Sequence, residues 1–153
     1  AELPFNKGVE ALALLANGSL LALSEGRKNN HTVVGWIIDS GHWSELTYRT
    51  GDGFRVTGAT THPNGDVLLL ERLFTRRGKN AIRLKRVTAN AIKGGALLKG
   101  KTIAELRPPL TIDNFEGIKA RKGPKGGVLV YLVSDNNFNS KQRTLLMIFE
   151  LSD

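Results

Sequence analysis

Glu10, Thr57 and Glu116 hold the same place in three copies of one pattern, 47 and then 59 residues apart. Each copy is a short apolar segment, a tight glycine turn, and a second apolar segment that ends in charge. The turns are Asn17-Gly18-Ser19, Asn64-Gly65-Asp66 and Gly123-Pro124-Lys125-Gly126-Gly127, and the charged ends are Glu25, Glu71-Arg72 and Asp135. Carboxylates gathered at one place, with Asp113, Asn114, Asn136 and Asn137 nearby, suit a hard cation such as Ca²⁺, which takes six to eight oxygen ligands. On that reading Glu10, Glu25, Glu116 and Asp135 are the metal ligands. Arg72, Arg27 and Arg76, with the amide of Asn114, suit a phosphate or other anion outside them. A second reading stands beside the first: the acids pair with the arginines and tie neighbouring segments together.

The elements that position these residues are read from the repeat. Periods near 45 residues with several strands per unit mark β-propeller blades. The expected fold is all-β, a propeller fragment of about three four-stranded antiparallel blades at 5–50, 51–108 and 109–153. The strands fall at 9–15, 19–24, 32–38 and 43–48, then 56–61, 67–72, 81–87 and 102–106, then 115–121, 128–134 and 144–150. The third blade thus lacks its outer strand. One short helical turn capped by Thr88 is expected between the third and fourth strands of the second blade. In an up-and-down sheet the start of the first strand and the end of the second share an edge. Glu10, Thr57 and Glu116 should therefore ring the channel mouth, with Glu25, Glu71, Arg72 and Asp135 just outside. The basic loops Arg27-Lys28 and Arg76-Arg77-Gly78-Lys79 should rim the same face.

The composition excludes several alternatives. The chain has 153 residues, 41% apolar and 24% charged, as in an ordinary globular domain. There are no cysteines, so disulfides and thiolate chemistry are absent. No apolar run reaches the roughly 18 residues that span a bilayer, and no signal peptide is visible. A chain that opens on Ala1 reads as a processed or truncated product. The formal charge of +8 favours anionic partners. Nucleic acid is disfavoured, because Trp36, Trp43, Tyr48 and Tyr131 are too dispersed for a stacking platform. His31, His42 and His62 lack metal spacing and read as surface residues. Neither a nucleophile elbow nor a phosphate-cradling glycine loop is present. Three blades are too few to close a ring of about four to eight. Further blades, from a missing N-terminal half or from self-association, must cover the end faces.

The motifs Asn6-Lys7-Gly8-Val9-Glu10-Ala11-Leu12-Ala13, Thr57-Gly58-Ala59-Thr60 and Asp113-Asn114-Phe115-Glu116-Gly117-Ile118 resemble the bacterial phytase-like domain family, also described as esterase-like activity of phytase. Ser134-Asp135-Asn136-Asn137-Phe138, followed by Gln142-Arg143-Thr144-Leu145-Leu146, looks like the family's C-terminal signature. The resemblance covers nearly the whole chain but the C-terminal half of a typical member. It implies a β-propeller, export to the periplasm or beyond, and phosphoester or ester hydrolysis by metal-assisted attack of water. The family pattern reads Asp-Asp-Asn-Phe where this chain has Asn136 in place of the second acid. That exchange removes a charge from a cation ligand and leaves turnover open. The alternative is a non-catalytic propeller module for binding or assembly.

Overall fold

In a computed structural model the described residues are 8–29, 31–75 and 80–151, with backbone alone at 26–29. They form three antiparallel meanders, each built outward from its first strand. The first runs β1 (Val9–Leu14), β2 (Leu20–Asn29), β3 (Thr32–Asp39) and β4 (His42–Arg49). The second runs β5 (Arg55–Thr61), β6 (Val67–Leu73), β7 (Ala81–Val87) and then β9 (Lys101–Leu106). The third holds β10 (Phe115–Lys122), β11 (Val128–Ser134) and β12 (Leu146–Leu151). This is the order of consecutive propeller blades, and the three sheets do not close a ring among the described residues.

One strand departs from the expected plan. The short β8 (Leu97–Lys99) leaves the second meander and pairs in parallel with β4, making the first sheet five-stranded. Gly95 and Ala96 prepare this crossover by backbone hydrogen bonds with Glu45 and Thr47. Leu98 then buries its side chain in the first core. The segment therefore stitches the first two sheets together.

Packing explains why the apolar runs differ in pattern. In β6, Val67 and Leu69 join the core shared with the first sheet, while Leu68 and Leu70 join the core shared with the third. A strand buried on both faces needs no polar alternation, and the first five residues of both β6 and β7 are buried. The end sheets have one free face, so β1 and β12 alternate between more and less exposed residues. Each fully buried Leu or Val contributes about 1.5–3 kcal/mol.

Close contacts between first strands hold the blades in register. Thr57 Oγ1 donates to the Phe115 carbonyl at 3.0 Å, and the Ala120 N–H donates to Thr60 Oγ1 at 3.2 Å. Thr61 Oγ1 donates to the Leu14 carbonyl on the other side. A Cβ on Gly58 would stand 3.1 Å from the Glu116 carbonyl oxygen, so glycine permits this approach of β5 to β10. Gly18, Gly65 and Gly126 have φ of 87°, 95° and 94°, as the tight turn of each copy demands.

The short helical turn is a 3₁₀ turn at Ala89–Ala91, but Thr88 makes no side-chain cap. Asp66 caps it instead, accepting the Ala89 N–H at 2.9 Å while its other oxygen pairs with Arg86 at 2.7 Å. The carboxylate arrives from the neighbouring hairpin, which local sequence does not reveal. His62 is buried rather than superficial, with Nδ1 2.6 Å from Asn64 Oδ1.

Candidate functional site at the channel face

The three repeat heads share a backbone irregularity. In β1 the pairing runs Val9 to Ser24 and then Ala11 to Leu23, skipping Glu10. In β5 it runs Val56 to Glu71 and then Gly58 to Leu70, skipping Thr57. In β10 it runs Phe115 to Ser134 and then Gly117 to Val133, skipping Glu116. Each head is the extra residue of a β-bulge. A bulge re-aims a side chain that the pleat would otherwise commit to one sheet face.

These bulged residues line one cavity of about 220 Å³, together with Glu25 from β2, Val56 and Arg72 from β6. Five strands of three sheets thus contribute to one space. Arg72 lies 3.8 Å from Glu116 Oε1, beyond hydrogen-bond length. Arg72 also lines a smaller recess with Gly53, Arg55 and Phe74, and a larger cavity of about 310 Å³ between the second and third sheets. Arg72 is therefore a common wall of all three spaces.

Asn114 is buried beside Glu116 and donates from Nδ2 to its Oε1 at 2.8 Å. Glu25 accepts Arg55 Nη1 at 2.6 Å. Asp135 lies on the same edge but does not line the glutamate cavity. It caps its own loop, accepting the Asn137 N–H at 3.0 Å, and its N–H donates to the Asn114 carbonyl. The side chain of Arg27 and all of Arg76 lie outside the described residues.

The fit to a hard dication can be judged from these partners. A Ca²⁺ site needs several oxygens free of competing cations. Here Glu25 is already paired with Arg55, and Glu116 faces both Arg72 and an amide donor. Among the described residues no three His, Asp or Glu side chains gather as a metal group. As arranged, the donors do not fit Ca²⁺; among the described residues they leave Arg72 as a cation with donors to spare.

Glu71 is not on this face, contrary to expectation. It follows Val67 and Leu69 on the side of β6 turned toward the first sheet, and it is fully buried there. Tyr48 donates its hydroxyl to Glu71 Oε1 at 2.6 Å, and Arg83 reaches Oε2 through Nε at 2.8 Å and Nη2 at 2.7 Å. Lys85 Nζ lies 3.9 Å away, and both cations also donate to the Thr50 carbonyl. Burial pushes the Glu71 carboxyl above its usual range, against the pull of Tyr48, Lys85 and Arg83. Burial lowers Lys85 and raises the Tyr48 hydroxyl. Arg83 is pulled down by burial, but the charge and hydrogen bond of Glu71 outweigh this and hold it above its usual value. The equivalent positions in the other sheets are Ser24, which donates to the Val34 carbonyl on the neighbouring strand, and Ser134, which donates to the Arg143 carbonyl in the segment before β12. Glu71 is thus a structural tie between sheets.

A family model described as phytase-like, esterase-like activity of phytase, matches residues 1–138. A crystal structure of a protein of unknown function from Bacteroides caccae is similar at 14% identity and a TM-score of 0.46, covering 99% of this chain. The chain spans about half of that protein, 49% of its length. No curated protein matches.

Proposed function

Because this chain belongs to the phytase-like family, we propose that its channel face binds an anionic ligand of the phosphoester class, held by Arg72. The observation that carries the reading is the convergence of three equivalent bulged residues, Glu10, Thr57 and Glu116, on one cavity walled by Arg72. A guanidinium with donors unused among the described residues is a good partner for the paired oxygens of a phosphate. Arg55 and Asn114 add a positive and a polar group beside it, and Arg27 and Arg76 are proposed as further anion-binding residues. Thr57 and the glutamates supply acceptors for the protonated oxygens of a monoester. Hydrolysis of the ester is the finer part of the proposal, with Glu10 as the carboxylate that orients water.

The non-catalytic reading also has a specific observation behind it. Glu25 is tied to Arg55 and Glu116 to Asn114, so these two carboxylates are already engaged. A turnover assay with generic phosphoesters separates the readings, with Ca²⁺, Mg²⁺ and Mn²⁺ as added arms. Release of phosphate that Arg72→Gln abolishes supports catalysis. Binding without release supports the module.

Assembly with further blades belongs to the same proposal. Leu12 and Leu14 are more than half exposed on one end sheet, and Leu146 and Ile148 on the other. Both faces suit a neighbouring blade, from an N-terminal half or a second copy. Sedimentation of this chain by itself should show self-association; a compact 16.7 kDa monomer would contradict it. Export follows the family resemblance and is tested by cell fractionation. Among the described residues no helix is long and apolar enough to cross a membrane.

A further inference from the structure

The smaller recess beside Arg72 follows from the pairing of β5 with β6. Arg55 and Arg72 stand directly opposite each other in that ladder, so their side chains leave the sheet on the same side. Phe74, two residues beyond Arg72, follows it on that side. Gly53 closes the recess ahead of β5, with a φ of 79° that suits glycine. A Cβ there would stand 3.3 Å from Leu73 Cδ1. No side chain from Gly53 covers Phe74, which is 64% exposed. The four residues enclose about 190 Å³.

Two like charges directly across a ladder destabilise it. The neighbours offset this in part. Glu25 accepts one N–H of Arg55, from Nη1 at 2.6 Å, and Glu116 Oε1 stands 3.8 Å from Arg72 Nη1. A guanidinium carries five N–H donors, so both arginines keep donors among the described residues. Glu25 and Glu116 line the glutamate cavity, and among the described residues no carboxylate lines the recess. An anion is therefore better served on the recess side of Arg72, where two guanidiniums meet it and no acid opposes it.

We propose that the recess seats the phosphate of an aryl phosphomonoester, gripped by Arg55 and Arg72, with Phe74 packing on its ring. Offset contact between two aromatic rings adds to the burial of their area. The volume is below the roughly 300 Å³ at which ordinary small-molecule sites begin, which limits the occupant to one phosphate and one flat ring. Arg55 is the added binding residue, and it does not line the glutamate cavity. The inference deepens the phosphoester reading and rests on it for the anion. The aryl preference stands on Phe74 and on the missing side chain at Gly53.

Calorimetric titration of the native protein with phenyl phosphate and methyl phosphate tests the seat. Phenyl phosphate should bind five-fold or more tighter than methyl phosphate, and Phe74→Leu should bring the two to equal affinity. Arg55→Gln should weaken both ligands ten-fold or more. Glu25→Gln breaks the same ion pair from the other side and should tighten both, because it releases a donor and removes an acid. Weakening by Glu25→Gln as large as that by Arg55→Gln would make Arg55 a structural residue and overturn the seat. Full methyl phosphate binding in Arg55→Gln, with binding lost in Arg72→Gln, overturns the recess and leaves the phosphoester reading intact. Equal affinity of the native protein for the two ligands overturns the aryl preference and also leaves that reading intact. No binding of either ligand overturns both.

Discussion

Replacing Arg83 by Met should destabilise the protein by about 3–5 kcal/mol at neutral pH, the usual cost of breaking a buried ion pair from one side. Arg83 is 7% exposed and Glu71 0%, so water cannot take over the lost contacts. The variant removes one charged hydrogen bond and a second ion-pair contact at 2.7 Å to Glu71, a hydrogen bond to Asp52 at 3.2 Å and one to the Thr50 carbonyl. It also removes a guanidinium 3.9 Å above the Phe54 ring. Lys85 keeps the Thr50 carbonyl satisfied, and Tyr48 keeps its bond to Glu71, which holds the loss within that range. For a chain of this size the melting temperature should fall by roughly 6–20 °C. The pH dependence adds a second signature. The folded-state pKa of Glu71 is raised, so the folded protein binds a proton more readily than the unfolded one, and stability falls as pH rises through that window. Without Arg83 the carboxyl rises further, so the loss should be larger at pH 7 than near pH 4.5. Thermal and urea unfolding across pH measure both quantities. A loss under about 1 kcal/mol, or a loss that does not grow with pH, would refute the Arg83–Glu71 ion pair as the support of the buried carboxylate that Tyr48 binds from the first sheet.

Two other perturbations test the packing and the turn. Gly35→Ala should cost about 1–3 kcal/mol by overpacking, because its Cβ would stand 2.8 Å from the Ala22 carbonyl oxygen and 2.9 Å from Leu46 Cδ1; an unchanged urea midpoint would contradict the sheet packing. Asp66→Asn should cost about 1–2 kcal/mol at neutral pH by weakening charge-assisted hydrogen bonds. Burial raises the Asp66 carboxyl, but the Ala89 N–H, Arg86 and Asn64 outweigh it and hold it below the usual aspartate range. Its contribution is therefore full above that range and lost as pH falls through the lowered value, so the variant's acid unfolding limb should be flatter than the wild type's.

The repeat made the three meanders and the shared edge of Glu10, Thr57 and Glu116 legible, because each copy carries the same turn and the same apolar flanks. The bulges were not legible as such. A skipped residue shows itself through the pairing partner, which lies some 15 residues away in sequence. Glu71 and Arg72 show what period-two reasoning could have added. Adjacent strand residues point to opposite faces, so one had to leave the channel-side group, and the core parity of Val67 and Leu69 assigns that residue as Glu71. β8 escaped notice because three residues carry no periodicity and its partner strand belongs to another repeat. The Asp66 cap was hidden for the same reason, since it reaches the turn from 23 residues away.

The central claim is that Arg72 makes the channel face an anion site. Calorimetric titration of the native protein and its Arg72→Gln variant with a phosphate monoester, at low and moderate salt, tests it most directly. Saturable binding near one site per chain is expected, weakened by salt and reduced ten-fold or more in the variant, with the melting temperature of the free protein little changed. Binding of equal strength in both proteins, or none in the wild type at millimolar monoester, would contradict it.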